Sequence, residues 1–160
     1  MLYLDTSALA KRYVWESGSE SVHARLLSAG SGGEGIFTSV LTYAEMLTLF
    51  GRRRQSGEFQ LEEFQQITND FLRDWQSGLS ILELNVNTMS SLASLTASYP
   101  LKSADAVHLS TAIWLRDKSL LAHESTLGVA PLEFWVADGT LARIAQQCGL
   151  RVFNPEQMQP

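Results

Sequence analysis

Cysteine is nearly missing from this chain: Cys148 is the one copy among 160 residues. No disulfide can form within the chain. A disulfide-held secreted scaffold is therefore excluded, and a core-stabilised intracellular, cytoplasmic protein is expected. Long hydrophobic runs are missing as well. No stretch approaches the ~18 apolar residues of a membrane span. The start, Met1-Leu2-Tyr3-Leu4-Asp5, lacks the basic residues and apolar run of a secretory signal. Positive charge is scarce: 12 Lys and Arg against 17 Asp and Glu leave a formal charge of −5. Phosphate contacts need Lys and Arg, so tight non-specific binding of nucleic acid is not expected.

Several phosphate-handling motifs are absent too. There is no Walker A sequence, which excludes P-loop nucleotide hydrolysis. Asp5-Thr6-Ser7 stands where a dinucleotide-binding fold would carry its glycine fingerprint. Ser7 also occupies the position at which a phosphoaspartyl phosphatase carries its second acid.

What is present is a packed globule. Apolar residues make up 45% of the chain, and its length suits one domain, residues 1–160. Strand patterns at residues 2–4, 36–38, 79–84, 132–136 and 152–153 alternate with helical patterns. The helices are expected at 7–14, from Ser17 to about Gly30, through Leu41 to Phe50, at 61–75, 86–98, 103 to about 117, and 140–147. Ser17 and Glu20 read as a capping box. Ser39 or Thr38 is expected to cap the third helix, and Gly149 to end the last. The alternation predicts an α/β fold with a parallel sheet and helices on both faces. The segment Lys118–Pro131 is long for a connection; it extends the sixth helix or adds a turn of its own.

In such sheets ligands bind at the carboxyl ends of the strands. Asp5 follows the first strand and Asp138 the fourth. Asp105 opens the sixth helix, and Glu45 lies two turns inside the third. Three of these acids have a simpler reading as helix caps or dipole partners. Glu45 does not: its helix is apolar almost all round, so it is expected to be largely buried, which is costly for an isolated carboxylate. Four carboxylates at one end of a sheet repel unless a cation relieves them. An all-oxygen set suits a hard ion such as Mg²⁺ or Mn²⁺.

These residues resemble the PIN domain family. The likeness rests on Leu-Asp-Thr-Ser-Ala-Leu at 4–9, Glu45 on a helix, and Ser-Ala-Asp-Ala-Val-His-Leu at 103–109. Val-Ala-Asp at 136–138 and Gly-Leu-Arg-Val-Phe-Asn-Pro at 149–155 complete it. It is strongest to the VapC-type toxins of toxin–antitoxin pairs. The resemblance implies a three-layer α/β/α fold around a parallel sheet of four to five strands. It implies a metal-dependent endoribonuclease that inhibits translation or growth, with Asp5, Glu45, Asp105 and Asp138 as catalytic and metal-binding acids and one or two Mg²⁺ or Mn²⁺ ions. Thr6 and Ser7 match the supporting hydroxyl positions. It also implies an RNA substrate, a cognate antitoxin on another chain and a homodimer.

Two other functions stay open: a non-catalytic PIN-like module that binds RNA or protein, and a PIN nuclease in RNA processing. Lys11, Arg12 and the run Arg52-Arg53-Arg54 are candidate contacts to RNA or antitoxin, with solvated helix ends as the simpler reading. His108, one turn after Asp105, can serve a carboxylate neighbour as ligand or base, with a packed, hydrogen-bonded side chain as the favoured reading in this apolar helix. Trp15, Trp114 and the stripe from Phe59 to Trp75 read as core plus interface. Four of the five net negative charges are accounted for by the acidic quartet, so the acidity is in large part the site itself.

Overall fold

A computed structural model describes residues 1–123 and 131–158. The elements run β1 (Leu2–Leu4), α1 (Thr6–Ala10), α2 (Ser19–Ser31), β2 (Ile36–Ser39), α3 (Leu41–Gln55) and α4 (Leu61–Ser77). They continue with β3 (Ser80–Leu82), α5 (Leu92–Ser98), α6 (Ser103–His123), β4 (Glu133–Trp135), α7 (Gly139–Gln147) and β5 (Arg151–Phe153). The strands form one sheet in the order β3-β2-β1-β4-β5, and every neighbouring pair is parallel. Among the described residues no helix is long and apolar enough to cross a membrane.

Strand alternation builds the layers. Leu2 and Leu4 of β1 and Trp135 of β4 face one side and pack with buried residues of α1–α4. Tyr3 and Phe134 face the other side and pack with α5–α7. The result is the expected three-layer α/β/α arrangement with five parallel strands. The strand order turns back at β1, whose neighbours β2 and β4 lead to opposite edges. A crevice therefore opens above the carboxyl ends of β1 and β4.

Several local expectations are corrected. The N-cap of α2 is Gly18 at φ 85°, not Ser17. A Cβ there would come within 2.8 Å of the Pro155 backbone, so the approach of the C-terminal segment demands glycine. Ser19 serves the preceding turn instead: its hydroxyl accepts from Glu16 N–H at 2.9 Å and donates to the Val14 carbonyl at 3.2 Å. No side chain caps α3 at its N-cap, Val40, although Ser39 Oγ accepts from Leu41 N–H at 3.2 Å. Thr38 donates to the Leu4 carbonyl at 2.8 Å. The helix expected from residue 86 begins only at Leu92, because Asn85 and Thr88 draw the intervening backbone into turns. Helix α6 runs on to His123, so part of Lys118–Pro131 is helix; residues 124–130 lie outside the described residues. Trp15 is 75% exposed and does not belong to the core.

On the α1–α4 side, Phe71 is fully buried and sits within 5.6–6.1 Å, ring to ring, of Tyr13, Tyr43, Phe50 and Trp75. Truncating it empties the centre of that layer. Phe71→Ala is expected to cost about 3–5 kcal/mol in urea unfolding. A loss under about 1 kcal/mol would show that this layer repacks.

Candidate active site

The backbone leaves the sheet at Asp5, whose N–H still donates to the Trp135 carbonyl at 3.1 Å. The Asp5 side chain then caps α1, accepting from Ala8 N–H at 2.8 Å. Ser7 Oγ donates to the same carboxylate, at 2.8 and 2.9 Å from its two oxygens. Ser7 also accepts from Ala137 N–H at 2.8 Å, which ties Asp5 to the turn before Asp138. Asp5 is only 5% exposed. Burial raises its pKa to about 6 against the partial relief of His108, Ala8 and Ser7.

Asp138 caps α7 in the same way, accepting from Leu141 N–H at 2.8 Å, and is exposed. Both Asp5 and Asp138 are thus helix caps, and both still line the cleft. Asp105 is half-buried in the first turn of α6. Desolvation raises its pKa, and the nearby Asp138 charge raises it further. Glu45 is half-buried rather than largely buried, because its side of α3 forms a wall of the open cleft. Burial works against its charge, but hydrogen bonds from His108 and Thr6 prevail and hold its pKa low.

All four carboxylates, with Thr6 and Ser7, line one cleft of about 640 Å³. A larger groove of about 840 Å³ lies beside α2 and contains none of them. The donor set in the cleft is oxygen-rich. Among the described residues no three His, Cys, Asp or Glu side chains already converge to hold a metal ion. Oxygen donors are the ligands that hard cations take. The raised pKa values of Asp5 and Asp105 come first from burial, which the positive groups nearby offset only in part.

The basic candidates divide. Lys11 borders the cleft but is 2% exposed, its ammonium held by Glu16 at 2.9 Å and Glu156 at 2.7 Å. Its charge is neutralised within the chain. Arg12 turns away from the cleft to Asp74, at 2.6 Å, and lines the larger groove. Arg53 borders the cleft with its guanidinium on Glu16, at 2.8 Å, and on Glu58. Arg52 lines the cleft, is exposed, and makes no ion pair among the described residues. Arg54 is not among the residues lining the cleft.

His108 is packed and hydrogen-bonded as expected, at 2% exposure, and it also forms part of the cleft wall. The available signal was its helical spacing from Asp105, which puts both on one face of α6. Tyr3, beneath it, gave no signal beyond its place in a strand.

These features coincide with a known family. The PIN domain model matches residues 2–124, and the chain belongs to the PIN domain family. It is 30% identical over 116 residues to Ribonuclease VapC47 of Mycobacterium tuberculosis (strain CDC 1551 / Oshkosh). That alignment covers 72% of this chain and 77% of the relative. Among solved structures, VapBC2 from Rickettsia felis, bound to a DNA fragment from its promoter, superposes with a TM-score of 0.63 at 16% identity. It covers 96% of this chain and 98% of the other. FitAcB from Neisseria gonorrhoeae superposes with a TM-score of 0.60 at 18% identity, covering 99% and 100%. At these identities the two structures show the fold.

The Asp5 geometry carries a stability consequence for the metal-free protein. Its carboxyl ionises near the ordinary 3.8 when unfolded and at about 6 when folded. Stability therefore falls as pH rises from about 4 to about 6, and stays low above that. Asn retains the cap and carries no charge. In EDTA, Asp5→Asn is expected to be more stable than wild type at about pH 7.5, on the order of 2–3 kcal/mol. The gain should vanish near pH 4 in urea unfolding. A variant no more stable than wild type at the higher pH would contradict the strained-carboxylate reading.

Proposed function

We propose that this protein is a Mg²⁺- or Mn²⁺-dependent endoribonuclease and the toxin of a type II toxin–antitoxin pair. The observation that carries the reading is the convergence of Asp5, Glu45, Asp105 and Asp138 on one cleft at the carboxyl end of the sheet. Family membership and the ribonuclease name of the VapC47 relative support it. The VapBC2 match supports a separate antitoxin chain as partner, which would place a basic side chain in the acidic cleft. A homodimer in the cytoplasm completes the proposal.

In this reading Asp5 and Asp105 are the principal metal-binding carboxylates. Glu45 orients water or adds a ligand. Asp138, the exposed member, serves a second ion directly or through water. The chemistry supplied by a bound divalent ion is a more acidic water and a stabilised leaving oxygen. Ser7 holds Asp5 in place and links it to the Asp138 turn. Thr6 donates to Glu45 Oε2 at 2.5 Å and holds that side chain at the wall. Arg52 meets the substrate backbone, since Lys11 and Arg53 are already paired with acids.

Wild type should cleave single-stranded RNA with Mg²⁺ or Mn²⁺ and stop in EDTA. Asp105→Asn should lose at least about 100-fold in rate, the upper end of what even outer residues of metal sites cost. Its expression should not arrest growth, whereas wild type should arrest growth unless the antitoxin is co-expressed. Equal cleavage by both proteins would remove the site assignment.

Arg52→Ala should weaken RNA binding across sequences and lower the salt slope of binding by about 1. Arg12→Ala should leave that slope unchanged in the same titration. The opposite pattern would reverse the two assignments.

A further inference from the structure

The wall of the cleft between α3 and α6 contains a line of polar groups that the acidic quartet does not use. Tyr3, in the middle of β1, is fully buried and points to the α6 side of the sheet. Its hydroxyl lies 3.0 Å from His108 Nδ1. The other ring nitrogen, Nε2, lies 2.9 Å from Glu45 Oε2 and 3.2 Å from Thr6 Oγ1. Thr6 itself donates to Glu45 Oε2. Both donors therefore meet the same carboxylate oxygen. Among the described residues Oε1 has no hydrogen-bond partner, although Glu45 borders the open cleft.

The chemistry selects one tautomer. A carboxylate only accepts, so Nε2 must carry a proton to bond it. A neutral imidazole has one N–H, so Nδ1 is then an acceptor. The Tyr3 phenol is protonated at neutral pH and donates to Nδ1. With the ring neutral, each group in the line has a matching donor or acceptor.

We propose that His108 is a positioning residue: its Nε2–H, oriented by Tyr3 from below, ties Glu45 Oε2 and leaves Oε1 presented to the cleft. The inference rests on the nuclease reading for what Oε1 does there, but not for the hydrogen-bond line itself. Outer partners that orient metal-site ligands are commonly worth ~10–100-fold in metal affinity or activity.

The test combines kinetics, calorimetry and spectroscopy on the full chain. Long-range ¹⁵N NMR of metal-free wild type near pH 7 should show His108 protonated on Nε2 and bare on Nδ1. A ring protonated on Nδ1, or on both nitrogens, overturns the proposal. His108→Leu should lower kcat and Mn²⁺ affinity by ~10-fold or more, with KM for RNA little changed. His108→Gln, whose amide reaches the Nε2 position, should recover much of both. Tyr3→Phe should lower kcat about fivefold, the scale of one net hydrogen bond.

Wild-type kcat and Mn²⁺ affinity in His108→Leu, or no recovery in His108→Gln, would reduce His108 to a packing residue. If His108→Leu fails to fold, the NMR result and Tyr3→Phe decide. If wild type neither cleaves RNA nor binds Mn²⁺, the nuclease reading fails, and the tautomer in wild type beside Glu45→Leu, which removes the acceptor, alone decides the positioning claim. Loss of the Nε2–H preference in Glu45→Leu then supports the line, and an unchanged ring contradicts it.

Discussion

A carboxylate held at 5% exposure at the end of a buried strand is the constraint around which this molecule is built. Asp5 gives up most of its hydration, and water is replaced by the Ala8 N–H and the Ser7 hydroxyl. Those partners exist because the chain turns into α1 immediately after β1. The short strand, the abrupt turn and the cap are one arrangement. Ser7 extends it across the sheet by accepting from Ala137 N–H, so β1 and β4 end in register with their acids on a common cleft. Even so, the hydrogen bonds do not fully offset burial, and the Asp5 pKa stays high. That residual cost is the one a nearby positive charge would relieve.

Charge around the cleft follows the same logic at longer range. Glu16 pairs with both Lys11 and Arg53, and Glu156 reaches Lys11 from the C-terminal segment. This line of ion pairs closes one rim and removes two of the nearest cations from contact with the acids inside. Arg52 is left to face solvent. Pairing with Glu16, Glu58 and Glu156 neutralises Lys11 and Arg53, while Arg52 lines the cleft exposed.

Much of this was legible in the residues. Asp5 after a three-residue apolar strand, Asp138 after another and Gly149 after a helical run each carry a local physical signal, and all three occupy the expected places. The acids also cap helices, so the simpler reading of Asp5 and Asp138 is realised, and both still line the cleft. Glu45 was legible as a carboxylate in an apolar helix, but not as a half-exposed wall residue, because helix periodicity does not say which side borders a cleft. Ser17 as a cap failed for a remote reason: the Pro155 backbone presses on Gly18. Lys11 and Arg12 looked alike in sequence. Both lie in the turn that ends α1, and one reached Glu16 and Glu156 while the other reached Asp74.

The amino-acid sequence by itself determined the alternation of strand and helix, the positions of the acids relative to those elements, and the family. These depend on short-range periodicity and on turn and cap chemistry, which operate within a few residues. Only the tertiary structure decided which cations are neutralised, which oxygen of Glu45 is tied, and that Tyr3 and His108 form a line beneath it. Those contacts join residues that are distant along the chain, through side-chain distances near 3 Å. No local pattern encodes such pairings, because they come into being only when the sheet brings β1, α3 and α6 together.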